Sequence, residues 1–128
     1  MSTYLERARR ALRTARSNLN DGDQVAASNR VYYALFDAVR AVLAARGLAD
    51  VSRIRTHQGI THVFNVTVVR AGLMEEQVAR ALPRALALRT HADYGSNVEI
   101  GRDTVESALA EAARFLEAAE RLVEAARP

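Results

Sequence analysis

Residues 29–36 read N-R-V-Y-Y-A-L-F and lie within a long segment whose apolar residues recur every three or four positions. That spacing places the residues on one face of a helix. Gly47 follows the segment where a helix-ending glycine belongs. The pattern predicts a helix from about residue 23 to 46, with Asn29 on its apolar face. The stripe consists of Val25, Asn29, Tyr32, Phe36, Val39 and Leu43, widened by Leu35 and Val42.

The sequence before this helix predicts a partner helix and a tight turn. Residues 20–23 read N-D-G-D, a strong stop and turn signal. Thr3 and Glu6 have the spacing of a capping box at the start of a first helix. The apolar stripe of that helix is Leu5, Ala8, Leu12, Ala15 and Leu19.

A third helix is predicted from a cap at Thr56 to a stop at Gly72. Its apolar positions are Ile60, Val63, Phe64 and Val68. Residues 63–69 are rich in β-branched side chains, so a strand is the alternative there. We favour the helix because the spacing and the glycine stop fit it and no partner strand is visible.

Two further helices complete the predicted chain. Residues 74–92 form a fourth helix that Pro83 should kink or split, because proline lacks a backbone donor. Residues 93–97 read as a loop, and Asp103 with Glu106 opens a last helix. Its inward positions are Val105, Leu109, Ala112, Leu116 and Val123. The sequence thus predicts one all-α domain over residues 1–128, an antiparallel up-and-down bundle of four to five helices.

Composition excludes several classes of function. The chain has no cysteine, so disulfides, thiolate catalysis and zinc–thiolate sites are excluded. His57 and His62 are five residues apart, which is not a same-face spacing, and we expect no metal or cofactor. His57 is assigned to the start of the third helix. No apolar stretch is long enough to span a membrane, and no signal peptide is visible, so we expect a cytoplasmic protein.

Charge is distributed unevenly along the chain. All 18 basic residues are arginine, which can grip phosphate with two parallel hydrogen bonds but is also favoured by a GC-rich genome. The first 20 residues carry five arginines and one acid, whereas residues 103–127 carry six acids and three arginines. Such a layout suits an RNA-facing or a partner-facing end.

The order of the motifs resembles the HEPN superfamily of small prokaryotic helical proteins. The resemblance begins with Y-L-x-R-A at residues 4–8, and it continues through residues 18–23 and 26–36, the latter reading A-A-S-N-R-V-Y-Y-A-L-F. It continues through H-Q-G-I at 57–60, V-R-A-G-L at 69–73 and L-R-T-H-A-D-Y at 88–94. It covers nearly the whole chain, from about Tyr4 to Leu116.

The resemblance implies a function as well as a fold. Members are usually dimeric and are often encoded beside a minimal nucleotidyltransferase as a toxin–antitoxin pair. Active members are metal-independent ribonucleases with an arginine followed, after four to six residues, by a histidine. We therefore expect a homodimer, a nucleotidyltransferase antitoxin and an RNA substrate, either tRNA or mRNA.

The arginine–histidine pattern fits this chain in two registers. Arg84 and His91 have six residues between them and would lie about 10 Å apart along a straight helix. The surrounding sequence favours Arg89 as the family arginine instead, and Asp93 or Tyr94 then occupies the histidine position. Arg84, Arg89 and His91 are the candidate catalytic residues, with arginine for phosphate and histidine for proton transfer.

Binding and regulatory roles complete the predicted site. Candidate nucleotide- or RNA-binding residues are Asn29, Arg30, Tyr33 and Asp93. Tyr94 corresponds to a tyrosine that the partner nucleotidylates in related toxins, although it lies one residue farther from the histidine than in that pattern. Structural roles are the alternatives: an Arg89–Asp93 ion pair, a helix-end histidine at 91 and a buried tyrosine at 94.

The competing functional prediction is a catalytically inactive module that binds nucleotide or RNA together with a nucleotidyltransferase partner. A third possibility is a purely structural helical dimer. The arginine–histidine spacing departs from the active pattern at Arg89. For this reason the sequence favours the ribonuclease over the binding module by only a small margin.

Overall fold

The computed structural model describes residues 3–94 and 100–127, and all of its regular elements are helical. In chain order they are α1 Thr3–Asn20, α2 Gln24–Ala45, a short 3-10 turn Val51–Arg53, α3 His57–Phe64, a π-helical segment Asn65–Val69, the single turn α4 Glu76–Ala79, α5 Ala81–Tyr94 and α6 Arg102–Ala125. The predicted all-α bundle is confirmed, with α3 and α4 shorter than the other helices.

A tight turn makes α1 and α2 antiparallel. Gly22 has φ +81°, a left-handed conformation that favours glycine. The Asp23 carboxylate then accepts a hydrogen bond from the Ala26 N–H at 3.0 Å and caps α2. The turn predicted at residues 20–23 is confirmed.

Side chains of α6 fix its direction beside the first two helices. The Arg102 guanidinium donates to the Leu19 carbonyl at 2.9 Å, joining the start of α6 to the end of α1. Arg46 donates to the Leu122 carbonyl at 3.2 Å, joining the ends of α2 and α6. Helix α6 therefore runs parallel to α2 and antiparallel to α1.

Helix α2 lies at the centre of the bundle and packs against α1, α3, α5 and α6. The predicted stripe needs two corrections. Val25 is exposed and Asn29 is only half-buried, whereas Ser28 is fully buried. The Ser28 hydroxyl donates to the Gln24 carbonyl at 2.8 Å, which satisfies it inside the core. With four neighbours, α2 buries much more than a single stripe.

The third helix begins as predicted but changes its winding. The Thr56 hydroxyl accepts the Gly59 N–H at 2.9 Å and caps α3. Residues 65–69 then form a π turn closed by the Arg70 N–H on the Asn65 carbonyl at 2.9 Å. The strand alternative for residues 63–69 is wrong. Ile60, Phe64 and Val68 are buried, as the helical spacing predicted.

The predicted fourth helix is split, and Pro83 lies just after the break. Helix α4 ends at Ala79 and α5 starts at Ala81. Pro83 then falls in the first turn of α5, where backbone N–H groups need no intrahelical acceptor. The predicted inward positions of the last helix, Val105, Leu109, Ala112, Leu116 and Val123, are all buried.

We expect Phe64→Ala to lower the free energy of unfolding by about 3–5 kcal/mol, because Phe64 is fully buried and its ring lies 5.7 Å from that of Phe115. Val66→Ala is the matched control, since Val66 is 40% exposed two residues away and should cost little. Urea unfolding followed by circular dichroism measures both. Equal losses would contradict the assignment of Phe64 to the core.

Candidate functional site

His57, the first residue of α3, packs against two aromatic side chains of α2. Tyr32 and Phe36 are four residues apart and therefore lie on one face of α2. The Tyr32 hydroxyl and His57 Nδ1 are 2.9 Å apart and share a hydrogen bond. The Phe36 ring stacks on the imidazole with centroids 4.1 Å apart and 29° between planes. These contacts hold the ring orientation of His57.

Arg89 brings a third element, α5, to the same place. Its guanidinium carbon lies 4.9 Å from the ring centroid of Tyr32 and 5.3 Å from that of Tyr33. Its Nη2 also donates to the Tyr33 hydroxyl over a long 3.4 Å. A cation over two tyrosine faces gains electrostatic stabilisation from both rings. We call Tyr32, Tyr33, Phe36, His57 and Arg89 the His57 cluster.

A second arginine borders this cluster from α2. The Arg40 guanidinium lies 5.6 Å from the Phe36 centroid, on the ring that stacks on His57. It pairs with Asp37 at 3.1 Å. Burial raises the pKa of the Asp37 carboxyl, although Arg40 and Arg7 act in the opposite direction. The cluster thus contains one cation, Arg89, and is bordered by a second, Arg40.

These surroundings change the acid–base properties of the cluster. Burial, and then the positive charges of Arg40 and Arg89, lower the pKa of His57 below its usual value. Burial also raises the pKa of Tyr32, so its hydroxyl stays protonated at neutral pH. The imidazole is therefore neutral at neutral pH and can take part in proton transfer.

The arrangement also suits an anion. His57 and Arg89 are partly exposed, and Tyr33 is 37% exposed. A neutral imidazole, a guanidinium and a partly exposed tyrosine at one place can bind a phosphate group and move a proton beside it. Among the side chains that the structure describes, no group of three or more histidines and carboxylates could hold a metal ion.

The structure separates the three predicted catalytic residues. Arg89 belongs to the His57 cluster. Arg84 instead pairs with Glu111 of α6 at the protein surface. His91 is exposed on α5, and at two residues from Arg89 it projects to a different side of the helix. Arg84 and His91 lie seven residues apart on one continuous helix and share a face, which is not the face that carries Arg89.

The predicted binding residues are also divided. Tyr33 is part of the cluster, and Arg30 is exposed one helical turn before it. Asn29 is half-buried on the same helix. Asp93 and Tyr94 belong to the last turn of α5, but the predictions for their side chains lie outside the described residues.

Sequence reasoning did not place His57 in the candidate site. It placed His57 correctly at the start of the third helix, but the contacts with Tyr32 and Phe36 depend on how α3 packs on α2. A signal was present, because residues 57–60 belong to one of the runs that carry the HEPN resemblance. The spacing rule for arginine and histidine directed attention to His91 instead.

A helical bundle with this cluster defines a small all-α protein with an arginine–histidine site. The HEPN domain family model matches residues 1–122, and the chain belongs to the HEPN domain family. A UPF0332 protein of Thermotoga maritima is 35% identical over 94% of this chain and 89% of its own length.

Two more distant relatives extend the comparison. A UPF0332 protein of Gloeobacter violaceus is 29% identical over 90% of this chain and 89% of its own length. A Methanocaldococcus jannaschii protein named "Putative toxin MJ0142" is 22% identical over 91% of this chain and 76% of its own length. No helix in the described ranges is both long and apolar enough to cross a membrane.

We expect Arg40→Gln to raise the pKa of His57, because the substitution removes one of the two positive charges that lower it. NMR titration of the imidazole carbon-bound protons measures the shift, with His57→Gln identifying the signal. Arg80→Gln is the control, since Arg80 pairs with Glu76 and does not act on His57. An unchanged His57 titration in Arg40→Gln would contradict the electrostatic description of the cluster.

Proposed function

We propose that this protein is a HEPN toxin that cleaves RNA without a metal ion and is neutralised by a minimal nucleotidyltransferase. The proposal rests on one observation: in one partly exposed cluster, Arg89 and the neutral imidazole of His57 both contact Tyr32 and Tyr33. Family membership and the toxin name of the Methanocaldococcus relative support the biological context.

The cluster supplies the two groups that RNA cleavage needs. In the tautomer whose Nδ1–H donates to the Tyr32 oxygen, His57 Nε2 has a free lone pair. That nitrogen takes the proton of the ribose 2′-hydroxyl while the 2′ oxygen bonds to the adjacent phosphorus. The bond from phosphorus to the 5′ oxygen breaks, and the departing oxygen takes a proton from water. Arg89 stabilises the charge on the phosphate.

Tyr32 has a positioning role in this scheme. Its hydroxyl is buried and hydrogen-bonded to His57 Nδ1, so it orients the imidazole ring. The products are a 2′,3′-cyclic phosphate and a 5′-hydroxyl. Because His57 must be neutral to accept a proton, its lowered pKa extends activity to lower pH.

Purified protein should cleave single-stranded RNA in the presence of EDTA and leave cyclic phosphate ends. We expect His57→Gln and Arg89→Gln each to reduce the cleavage rate by roughly 100-fold or more, since each removes a group acting in the transition state. Thermal unfolding of each variant separates lost chemistry from lost folding. His91→Gln and Arg84→Gln test the other register in the same assay.

Two results would contradict the proposed site. Loss of cleavage in His91→Gln and Arg84→Gln, with His57→Gln unaffected, would move catalysis to the Arg84–His91 face. Absence of cleavage by the protein alone, together with harmless expression in cells, would contradict the ribonuclease itself. Growth arrest that His57→Gln relieves, in a variant of normal thermal stability, would support it.

The partner is tested separately. Co-expression of a neighbouring nucleotidyltransferase should relieve growth arrest, and mass spectrometry should find a nucleotide on Tyr94. Tyr94→Phe should then arrest growth even with the partner present. Size-exclusion chromatography with light scattering tests the homodimer that the HEPN resemblance implies. Relief without any modification of Tyr94 would contradict its regulatory role.

A binding module is the second candidate, and the charges around His57 favour it. Arg40 and Arg89 both act on the imidazole, so the cluster attracts a phosphate whether or not a bond is broken. A bound 2′-deoxy dinucleotide should raise the pKa of His57 by bringing negative charge near it. Such a shift in a protein that cuts no RNA would select the binding module.

A further inference from the structure

An open groove lies between α1 and α2, beside the His57 cluster. It encloses about 230 Å³ and is lined by Arg7 and Arg10 of α1 and by Arg30, Tyr33 and Asp37 of α2. The residues from each helix are three or four positions apart, so each set occupies one helix face. Two helix faces therefore present three arginines to one cavity.

Four of the five arginines of α1 fall into two sets. Arg9 pairs with Glu120 and Arg16 pairs with Glu106, so α6 neutralises that side of the helix. Arg7 and Arg10 face the groove, and within residues 3–94 and 100–127 neither forms an ion pair. The Arg7 guanidinium carbon also lies 5.6 Å from the Tyr4 ring centroid.

The groove keeps a net positive charge. Arg30 likewise has no ion pair with the described side chains, and Asp37 is paired with Arg40. Burial raises the pKa of the Asp37 carboxyl, whereas the positive charges of Arg40 and Arg7 act in the opposite direction. Three cations facing one paired carboxyl attract an anionic chain.

Tyr33 connects the groove to the His57 cluster. Its side chain lines the cavity, and its hydroxyl accepts a hydrogen bond from Arg89. Its ring centroid lies 6.2 Å from that of His57. The ring is also 37% exposed, so one face can stack on a nucleobase. A strand lying in the groove therefore meets the cluster at Tyr33.

We propose that the α1–α2 groove binds the phosphate backbone of single-stranded RNA, with Arg7, Arg10 and Arg30 on phosphates and Tyr33 stacked on a base. The bound strand leads its next phosphodiester to Arg89 and His57. This inference rests on the proposed function for its substrate class, but it concerns binding and can be tested without cleavage.

The test uses a fluorescent 2′-O-methyl oligoribonucleotide, which has no 2′-hydroxyl to react, and measures anisotropy at several salt concentrations. Arg7→Gln/Arg10→Gln should weaken binding about tenfold and flatten the plot of log affinity against log salt by about 1.4, since each phosphate contact on a single strand contributes about 0.7. Tyr33→Leu should weaken binding with little change in that slope.

Arg9→Gln/Arg16→Gln is the matched control. It removes the same charge from the same helix, but from arginines that pair with α6. Affinity and salt slope should stay near those of the unmodified protein. Equal weakening by both double variants would overturn the groove proposal, because it would show that RNA binding is only non-specific electrostatic attraction. A second result would also overturn the proposal. If Arg7→Gln/Arg10→Gln keeps its RNA affinity but no longer binds the nucleotidyltransferase, the groove is a protein-binding surface.

The two proposals fail in different ways. Groove-dependent binding of the methylated RNA, with no cleavage of ordinary RNA, supports the groove and contradicts the ribonuclease. Cleavage of ordinary RNA with unchanged kcat/KM in Arg7→Gln/Arg10→Gln supports the ribonuclease and overturns the groove.

Discussion

The buried hydroxyl of Tyr32 links the fold of this protein to its candidate site. Helix α2 packs against four neighbouring helices, so Tyr32 is almost completely removed from water. A phenol hydroxyl in that position needs a hydrogen-bond partner, and His57 provides it from the start of α3. The hydrogen bond that gives the buried Tyr32 hydroxyl a partner therefore also orients the imidazole of His57. A change that loosens the packing of α3 on α2 would disturb both.

Local pattern was enough to predict most of the fold but only part of the site. The turn at residues 20–23, the Thr56 cap and the inward face of the last helix depend on neighbours a few residues away, and short-range rules describe such features well. The cluster joins residues 25 and 56 positions apart. No spacing rule connects Tyr32 to His57 or Tyr33 to Arg89, because tertiary packing brings them together. Asn29 shows the same limit, since the turn-by-turn pattern placed it in the core and the neighbouring helices leave it half-buried.

The uneven charge along the chain brings opposite charges together, because the basic helix α1 packs beside the acidic helix α6. Arg9 and Arg16 face the acids of α6, and these exposed pairs contribute little to stability individually. Their larger effect is on the distribution of charge around α1. They neutralise one side of this helix and leave positive charge on the side toward α2. The basic start and acidic end of the sequence thus produce one polarised surface rather than two charged ends.

The π turn at residues 65–69 affects which changes in chain length the family can accept. A π turn contains one residue more than the α-helical turn it replaces, because its hydrogen bonds span five residues instead of four. Deleting one residue there can convert the segment to a regular α-helix while the residues on either side keep their facing. A deletion inside α2 would instead rotate every following side chain by about 100° and move core positions to the surface. Variation in length among homologues should therefore be tolerated at this turn and excluded from α2.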